Sequence, residues 1–310
     1  MDVAIFGAGM AGLSAGAQPV SARHNVTMVE KRVGPGGRTA TWRIQTTIVE
    51  ARFDRGAPYF TARDAAFAAP VERWAEAGHV ARWPAAGYGG WVGASAKNAP
   101  VKAAATGLDA QWNGRVEAIE PCKLSWILRR ERASSVGLSA LVLAVPGEQA
   151  AELLAPVAGA RAEVATSTAS APCWAVMAVL ESAGSCEADV LVTNSGAIGW
   201  AAGISAKPGR SRPEAWGIRG TPGWAVEHFD ENAGSIIRVL MAAFAKRVGA
   251  LPDALAATAH RWRCARSSSA GGLLRRDTAR NLGLCGDWQS WPRVEAVGLS
   301  GNCLARAMCG

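Results

Sequence analysis

The chain has 310 residues and a mass of 32.2 kDa, room for about two domains at ~150 residues each. Hydrophobic residues make up 49% and charged residues 19%, which excludes a disordered tail, a collagen-like repeat and a small disulfide scaffold. The net charge of +8 is spread over both halves with no helix-turn-helix, zinc-finger or RNA-reading motif, so no nucleic acid is expected as a partner.

No uninterrupted apolar stretch approaches the ~20 residues that span a bilayer, so no membrane is expected either. The first strand-like run starts two residues from Met1 without a basic leader, and a cytoplasmic location is expected. Seven cysteines contain no C-x-x-C pair, and four scattered histidines complete no ligand set. Reduced thiols and no metal follow from that spacing.

Val3-Ala4-Ile5-Phe6 reads as a short buried strand, and Gly7-Ala8-Gly9-Met10-Ala11-Gly12 follows at once as G-x-G-x-x-G. Gly7 permits the tight turn, Gly9 lets the backbone approach a pyrophosphate, and Gly12 lets helix pack closely on strand. Amides at the helix start then face the diphosphate. Val26–Val29 predicts a second strand ending at Glu30, 18 residues beyond Gly12, where a carboxylate would meet the ribose hydroxyls. Gly34-Pro35-Gly36-Gly37-Arg38 supplies a second glycine turn, and its arginine suits charge-assisted bonds to the diphosphate. Two phosphate-side loops point to FAD rather than NAD.

Further along, Asp64 is placed to cap a helix carrying Phe67, Val71 and Trp74 at helical spacing, with Pro70 interrupting the stripe. Pro19 likewise falls inside the expected first helix, at a cost of ~3 kcal/mol. Gly87, Gly89 and Gly90 suggest a crossing to a second domain. A short helix is expected over Lys102–Leu108 and a strand over Arg115–Ile119. Trp126–Leu128 and Ala140–Val145 are expected to continue that added sheet up to Pro146. In the middle, Cys173–Leu180, Ile198–Ala202 and Ala215–Ile218 read as strands, Pro222 as the first turn of a helix, and Ile236 to Val248 as a helical stripe of core residues. Leu282–Cys285 predicts a last buried strand with Gly286-Asp287 at its carboxyl end.

The strings GAGMAGLSAG and VTMVEKRVGPGGRTAT resemble FAD-binding oxidoreductases of the amine-oxidase class. ARFDRGAPYFTARDAAF is similar to the phrase D-H-G-A-Q-Y-F-T of the bacterial renalase-like flavoproteins, and SAPCWAVM, AIGWAAGISAKPGR, EAWGIRGTPGW, HRWRCAR and LGLCGDWQSWPRVEAVGLSGNCLARAM extend the resemblance across the chain. It implies an α/β fold: a Rossmann-like FAD-binding domain of the glutathione-reductase and amine-oxidase type with an inserted α+β substrate domain. The expected boundaries are 1–85, 107–165 and 280–310 for the discontinuous FAD domain, and 86–106 with 166–279 for the other.

The residues expected at noncovalent FAD are Gly7, Gly9, Ala11, Gly12, Glu30, Lys31, Gly37, Arg38, Gly56, Ala57, Val116, Gly286, Asp287, Val294 and Gly298. In the resemblance Val116 holds the adenine through its backbone, and Asp287 binds the ribityl chain or phosphate-bound water. The backbone of Val294–Gly298 and a helix starting near Leu299-Ser300-Gly301 approach the pyrimidine edge, where a positive helix end stabilises charge on reduction. Arg55, Pro58 and Tyr59 form the flavin-side loop, and His260 and Arg261 lie on the substrate side.

The resemblance implies hydride transfer from a small or dinucleotide substrate to flavin N5, with dioxygen as acceptor and hydrogen peroxide as product. Isomeric dihydronicotinamide dinucleotides are the expected substrates. Lys207, Arg210, Arg212, His260, Arg261, Arg263 and Arg266 are a basic supply for such an anion. A flavin amine oxidase and an FAD-binding protein with reduced catalysis are the alternatives. Tryptophans 74, 83, 216, 224 and 262 read as core or stacking residues rather than an amine cage. A monomer or weak homodimer is expected. Departures bear on turnover: Arg55 replaces the family's histidine and Pro58 its glutamine, Ala94-Ser95-Ala96-Lys97 replaces x-P-G-M, and Trp291-Pro292 replaces a glycine-proline pair.

Overall fold

The computed structural model describes residues 1–309 except 18–22, 124, 132, 194 and 211–212. The expected consequence of Pro19 therefore lies outside the described residues, as does Arg212.

Val3, Ala4, Ile5 and Phe6 are all buried, with no polar face left on the strand. Such a run needs cover on both sides, as in a parallel α/β sheet. The strand Asp2–Phe6 indeed lies inside a six-stranded sheet, between Ala140–Leu143 and Asn25–Val29, and is parallel to both. Asp109–Gln111 closes one edge in parallel. At the other edge Leu282–Cys285 runs parallel to Ala140–Leu143, and Leu274–Asp277 folds back antiparallel on it.

One face buries Val3, Ile5 and Val142 beneath the helices Met10–Ala15, Ala65–Glu76, Ala99–Ala105 and Val294–Cys309. The other buries Ala4, Phe6 and Leu143 beneath the helices Gly147–Leu154 and Gly159–Thr166 and an antiparallel sheet of Val116–Cys122, Ser125–Arg130 and Ala133–Leu138. Ala140–Leu143 thus belongs to the central parallel sheet and does not continue the added one. Its four consecutive apolar residues, all buried, require cover on two faces.

The second layer system is a five-stranded antiparallel sheet in the order Val190–Val192, Ile198–Gly203, Ala215–Gly220, Ser170–Leu180, Ala254–Ser267. Side-chain alternation divides its longest apolar run. Trp174, Val176, Ala178 and Leu180 meet Ile236, Leu240 and Phe244 of the helix Ala233–Val248. Met177 and Val179 meet Ala51 and Phe53 of the hairpin Thr41–Gln45/Glu50–Asp54. That hairpin connects the two systems and leads directly into Arg55.

The structure also gives form to other expected segments. Gly87, Gly89 and Gly90 lie at the end of a hairpin joining Val80–Arg82 to Trp91–Gly93, with Tyr88 fully exposed, and Trp83 and Val92 beside that turn pack with Ala202 of the antiparallel sheet. The short helix is Ala99–Ala105, with Pro100 in its first turn, and begins before the expected Lys102. With Trp91 and Val101 in the first core, part of stretch 86–106 packs with the Rossmann-like sheet. Pro70 is carried inside Ala65–Glu76, which Asp64 caps by accepting from the amide of Ala66.

Candidate functional site

The carboxyl ends of the parallel strands converge on the fingerprint glycines. Gly7 turns with φ +98°, and a Cβ on Gly12 would lie 1.9 Å from the Gly7 carbonyl oxygen. Strand and helix therefore approach as closely as only glycine allows. Gly9 precedes the helix Met10–Ala15 without a side-chain cap, and a Cβ there would meet nothing within 4 Å. The amides of the first helical turn, including Ala11, have no intrahelical acceptor by geometry. Gly37 approaches this turn from the second loop, with a built Cβ 3.5 Å from the Gly9 Cα.

Glu30 is buried at the end of its strand, and its carboxylate accepts from the amides of Ala8 at 2.9 Å and Arg32 at 3.0 Å. The Gly114 amide donates to the Glu30 carbonyl, which brings the start of Val116–Cys122 alongside. Lys31 donates to Gln149 at 3.0 Å. This open glycine turn beside a buried acid fits the adenosine diphosphate half of FAD.

The flavin-side loop is fastened from several directions. Gly56 presses on the backbone of Arg38, where a Cβ would lie 1.8 Å from the carbonyl oxygen, and that carbonyl accepts from the amide of Ala57 at 2.9 Å. Trp262 Nε1 donates to the Arg55 carbonyl at 3.0 Å, Lys207 Nζ to that of Pro58 at 2.8 Å, and Arg219 to those of Asp54 and Gly56. Tyr59 packs against the cluster of Trp83, Val92 and Ala202. Arg38 forms a two-bond ion pair with Asp287, at 2.5 and 2.6 Å. The cation and anion expected at different parts of the cofactor are thus bonded directly to one another.

Arg55 is buried with its guanidinium 4.9 Å from the Trp42 ring centroid and 5.0 Å from that of Trp262. Its Nε has no hydrogen-bond partner among the described residues. Burial and then the nearby Arg32 push its pKa down to about 10, so it remains charged at neutral pH. His260 meets Trp262 edge to face at 4.7 Å. Burial, then Arg55 and Arg32, push the imidazole down to about 4, leaving it neutral.

Other expected residues fall elsewhere. Arg261 alternates to the opposite face of the strand from His260, donates to the Phe229 carbonyl and stacks on Trp174 and Phe229. Lys207 and Arg210 are not free for a substrate, because both are buried on Asp54 at 2.7 Å. Arg263 and Arg266 are exposed. The C-terminal helix begins at Val294, so Ser300 and Gly301 are interior to it and form no helix end. Gly298 faces Phe67, where a Cβ would lie 2.5 Å from the ring, and serves helix packing. Gly286, at φ +141°, donates its amide to Ser300 Oγ at 2.9 Å and so fixes the turn that presents Asp287.

Residues 5–70 match the NAD(P)-binding Rossmann-like domain family. Over nearly its whole length the chain is similar in structure to a provisionally named protoporphyrinogen oxidase from Exiguobacterium sp. 255-15, with a TM-score of 0.79 at 12% identity, covering 99% of this chain and 98% of that one. The chain shares its overall fold with oxidases of this kind. Cyclohexylamine oxidase from Brevibacterium oxydans IH-35A matches with a TM-score of 0.70 at 12% identity, covering 99% of each chain. Putrescine oxidase bound to putrescine matches at 0.65 and 13%, covering 99% of this chain and 98% of that one.

Within this fold, Arg32, Trp42, Lys97 and Arg219 join the site although sequence reasoning assigns none of them a role there. Arg32 reaches it from the turn after Asn25–Val29 and Trp42 from within the strand Thr41–Gln45, and nothing in their spacing signals that. Lys97 carried one signal, as a lysine where the resembling family has methionine.

Proposed function

We propose that this protein is an oxidoreductase that binds FAD noncovalently and oxidises a flat, anionic substrate, with isomeric dihydronicotinamide dinucleotides as the preferred class. The observation that carries the cofactor is the open turn at Gly9 beside the buried carboxylate of Glu30, at the strand ends of an amine-oxidase type fold. Bound FAD supplies hydride acceptance at N5 and return of the two electrons to dioxygen, which with two protons becomes hydrogen peroxide.

The chain's own contribution is placement and electrostatics. Glu30 would hold the ribose hydroxyls, and the first-turn amides and Arg38 the diphosphate. Val116 would support the adenine through its backbone. Asp287 would exchange its bond to Arg38 for the ribityl chain. Arg55, fixed between Trp42 and Trp262, would attract the substrate's phosphates and repel an ammonium ion, which weighs against the amine oxidase reading. His260 is a neutral imidazole at pH 7 and would orient the substrate by hydrogen bonding, without adding charge. The strand-rich middle of the chain would carry the substrate side, and the protein would work in the cytoplasm as a monomer or weak homodimer.

Absorbance of the purified or FAD-reconstituted protein tests the first claim. Flavin bands released intact on denaturation are expected, and a protein that stays colourless after reconstitution overturns it. Anaerobic mixing then separates the readings. Bleaching by isomeric dihydronicotinamide dinucleotides supports this one, bleaching by simple amines alone replaces it with the amine oxidase, and bleaching by neither leaves an FAD-binding protein with reduced catalysis.

A further inference from the structure

Behind the flavin-side loop, four cations gather around one carboxylate. Asp54 is buried and gives one oxygen to Lys207 Nζ and the other to Arg210 Nη2, both at 2.7 Å. Arg219 directs Nη2 at two backbone carbonyls of the loop. Lys97 is the fourth cation, 1% exposed, and Asp54, Lys207, Arg210 and Arg219 all lie within its electrostatic reach. Its Nζ has no hydrogen-bond partner among the described residues, and neither do Arg219 Nη1 and Arg210 Nε, which are buried as well. Glu214, between Arg210 and Arg219 in sequence, is committed to Ser205 and to Trp216 Nε1.

With four cations and one anion, the cluster carries a formal charge of +3. Removing each ion from water costs several kcal/mol, and one carboxylate cannot offset all four. Aromatic faces give partial relief: Lys97 lies 4.8 Å from the Phe60 ring centroid, Lys207 4.7 Å from Trp83, and Arg219 4.8 Å from Trp200. Each such contact contributes only ~0.5–2 kcal/mol and offers no acceptor lone pair. The unused donors therefore call for an acceptor that carries negative charge.

We propose that this cluster binds one small monovalent anion, of the chloride or formate class, with Lys97 Nζ as its principal donor. The anion replaces the missing countercharge and holds Lys97 protonated. Without it, burial first of all pushes Lys97 down to about 7, so anion binding takes up a proton near neutrality. Because Lys207 and Arg219 hold the carbonyls of Pro58 and Gly56, occupancy also stiffens the loop that would face the flavin.

The test needs no turnover and does not depend on the redox reading. Thermal unfolding of the protein as purified is followed while sodium gluconate is replaced by sodium chloride at constant ionic strength, at pH 6.5 and pH 9. A saturable rise in Tm of ~2–4 °C is expected, larger at pH 6.5, as for any ligand that binds only the native state. Lys97→Met is expected to lose that response, and Lys97→Gln serves if the methionine variant does not fold. Chloride-35 line broadening by the wild-type protein, competed away by formate, gives a second readout. A wild type without chloride response or broadening overturns the proposal, as does a full response in the lysine variants.

Discussion

Glu30 has two tasks that a single substitution separates. Its carboxylate is buried and already satisfies the amides of Ala8 and Arg32, so it shapes the turn it is proposed to serve. Glu30→Ala leaves both donors unpaired, and a loss of ~2–3 kcal/mol in chemical denaturation is expected from bonds to a charged acceptor. FAD retention should fall as well, and flavin release at unchanged affinity would remove the ribose role. His260 gives a pH prediction. Its imidazole titrates near 4 in the folded chain against an ordinary 6.5 unfolded. The unfolded state binds more protons across that window, so stability falls as pH drops from 6.5 towards 4. His260→Asn should flatten that limb of the Tm profile. With four histidines in the chain, NMR titration can follow this ring directly, and Arg55→Ala should raise its pKa.

At the scale of elements, glycines set how closely the fingerprint helix is held. Gly12 admits the strand turn, and Gly301 admits the C-terminal helix, where a Cβ would lie 2.1 Å from the Ala11 carbonyl oxygen. Both neighbours are backbone, so neither can rotate away. Gly301→Ala should cost ~1–3 kcal/mol by overpacking and loosen Met10–Ala15 against its sheet. Gly9→Ala is the comparison: its side chain meets open space, so stability should change little while FAD affinity drops. Equal effects of the two substitutions on urea midpoint and FAD titration would show that the open turn does not face the cofactor. G-L-S-G reads in sequence as a helix start, yet Gly298 and Gly301 both sit inside the C-terminal helix at close packing contacts. The added residues Val294–Val297 form the actual first turn, and Glu295 there accepts from Thr61 and from the amides of Arg63 and Asp64.

Across the whole molecule, Asp54 joins the hairpin of one layer system to the loop and strand of the other. Burial alone would raise its pKa, but Lys207 and Arg210 override that and hold it at about 2 against an ordinary 3.8. A depressed carboxylate contributes stability that is present above pH 4 and lost as pH falls towards 2. The acid limb of unfolding should therefore report this junction. Asp54→Asn leaves two buried cations without their countercharge and should cost ~3–5 kcal/mol, with the acid limb flattened. A denaturation midpoint near wild type would mean the two systems are joined chiefly by the apolar contacts of Phe53, Met177 and Val179.

The sequence by itself determined the Rossmann-like start, the buried strands and the positions of Gly7, Gly9, Gly12 and Glu30, because those depend on local turn chemistry and on spacing along one supersecondary unit. It also marked Asp64 as a cap and Gly286-Asp287 as a strand end, for the same reason. Tertiary structure alone decided which charges are free. Lys207, Arg210 and Arg261 read as substrate-side cations, yet their partners Asp54 and Phe229 lie 153, 156 and 32 residues away, and no local pattern encodes such pairing. The same long-range packing placed Ala140–Leu143 in the central sheet, brought Arg38 onto Asp287, and left Lys97 buried without a hydrogen-bond partner among the described residues. Composition supplied the +8, and only the fold concentrated part of it around one carboxylate.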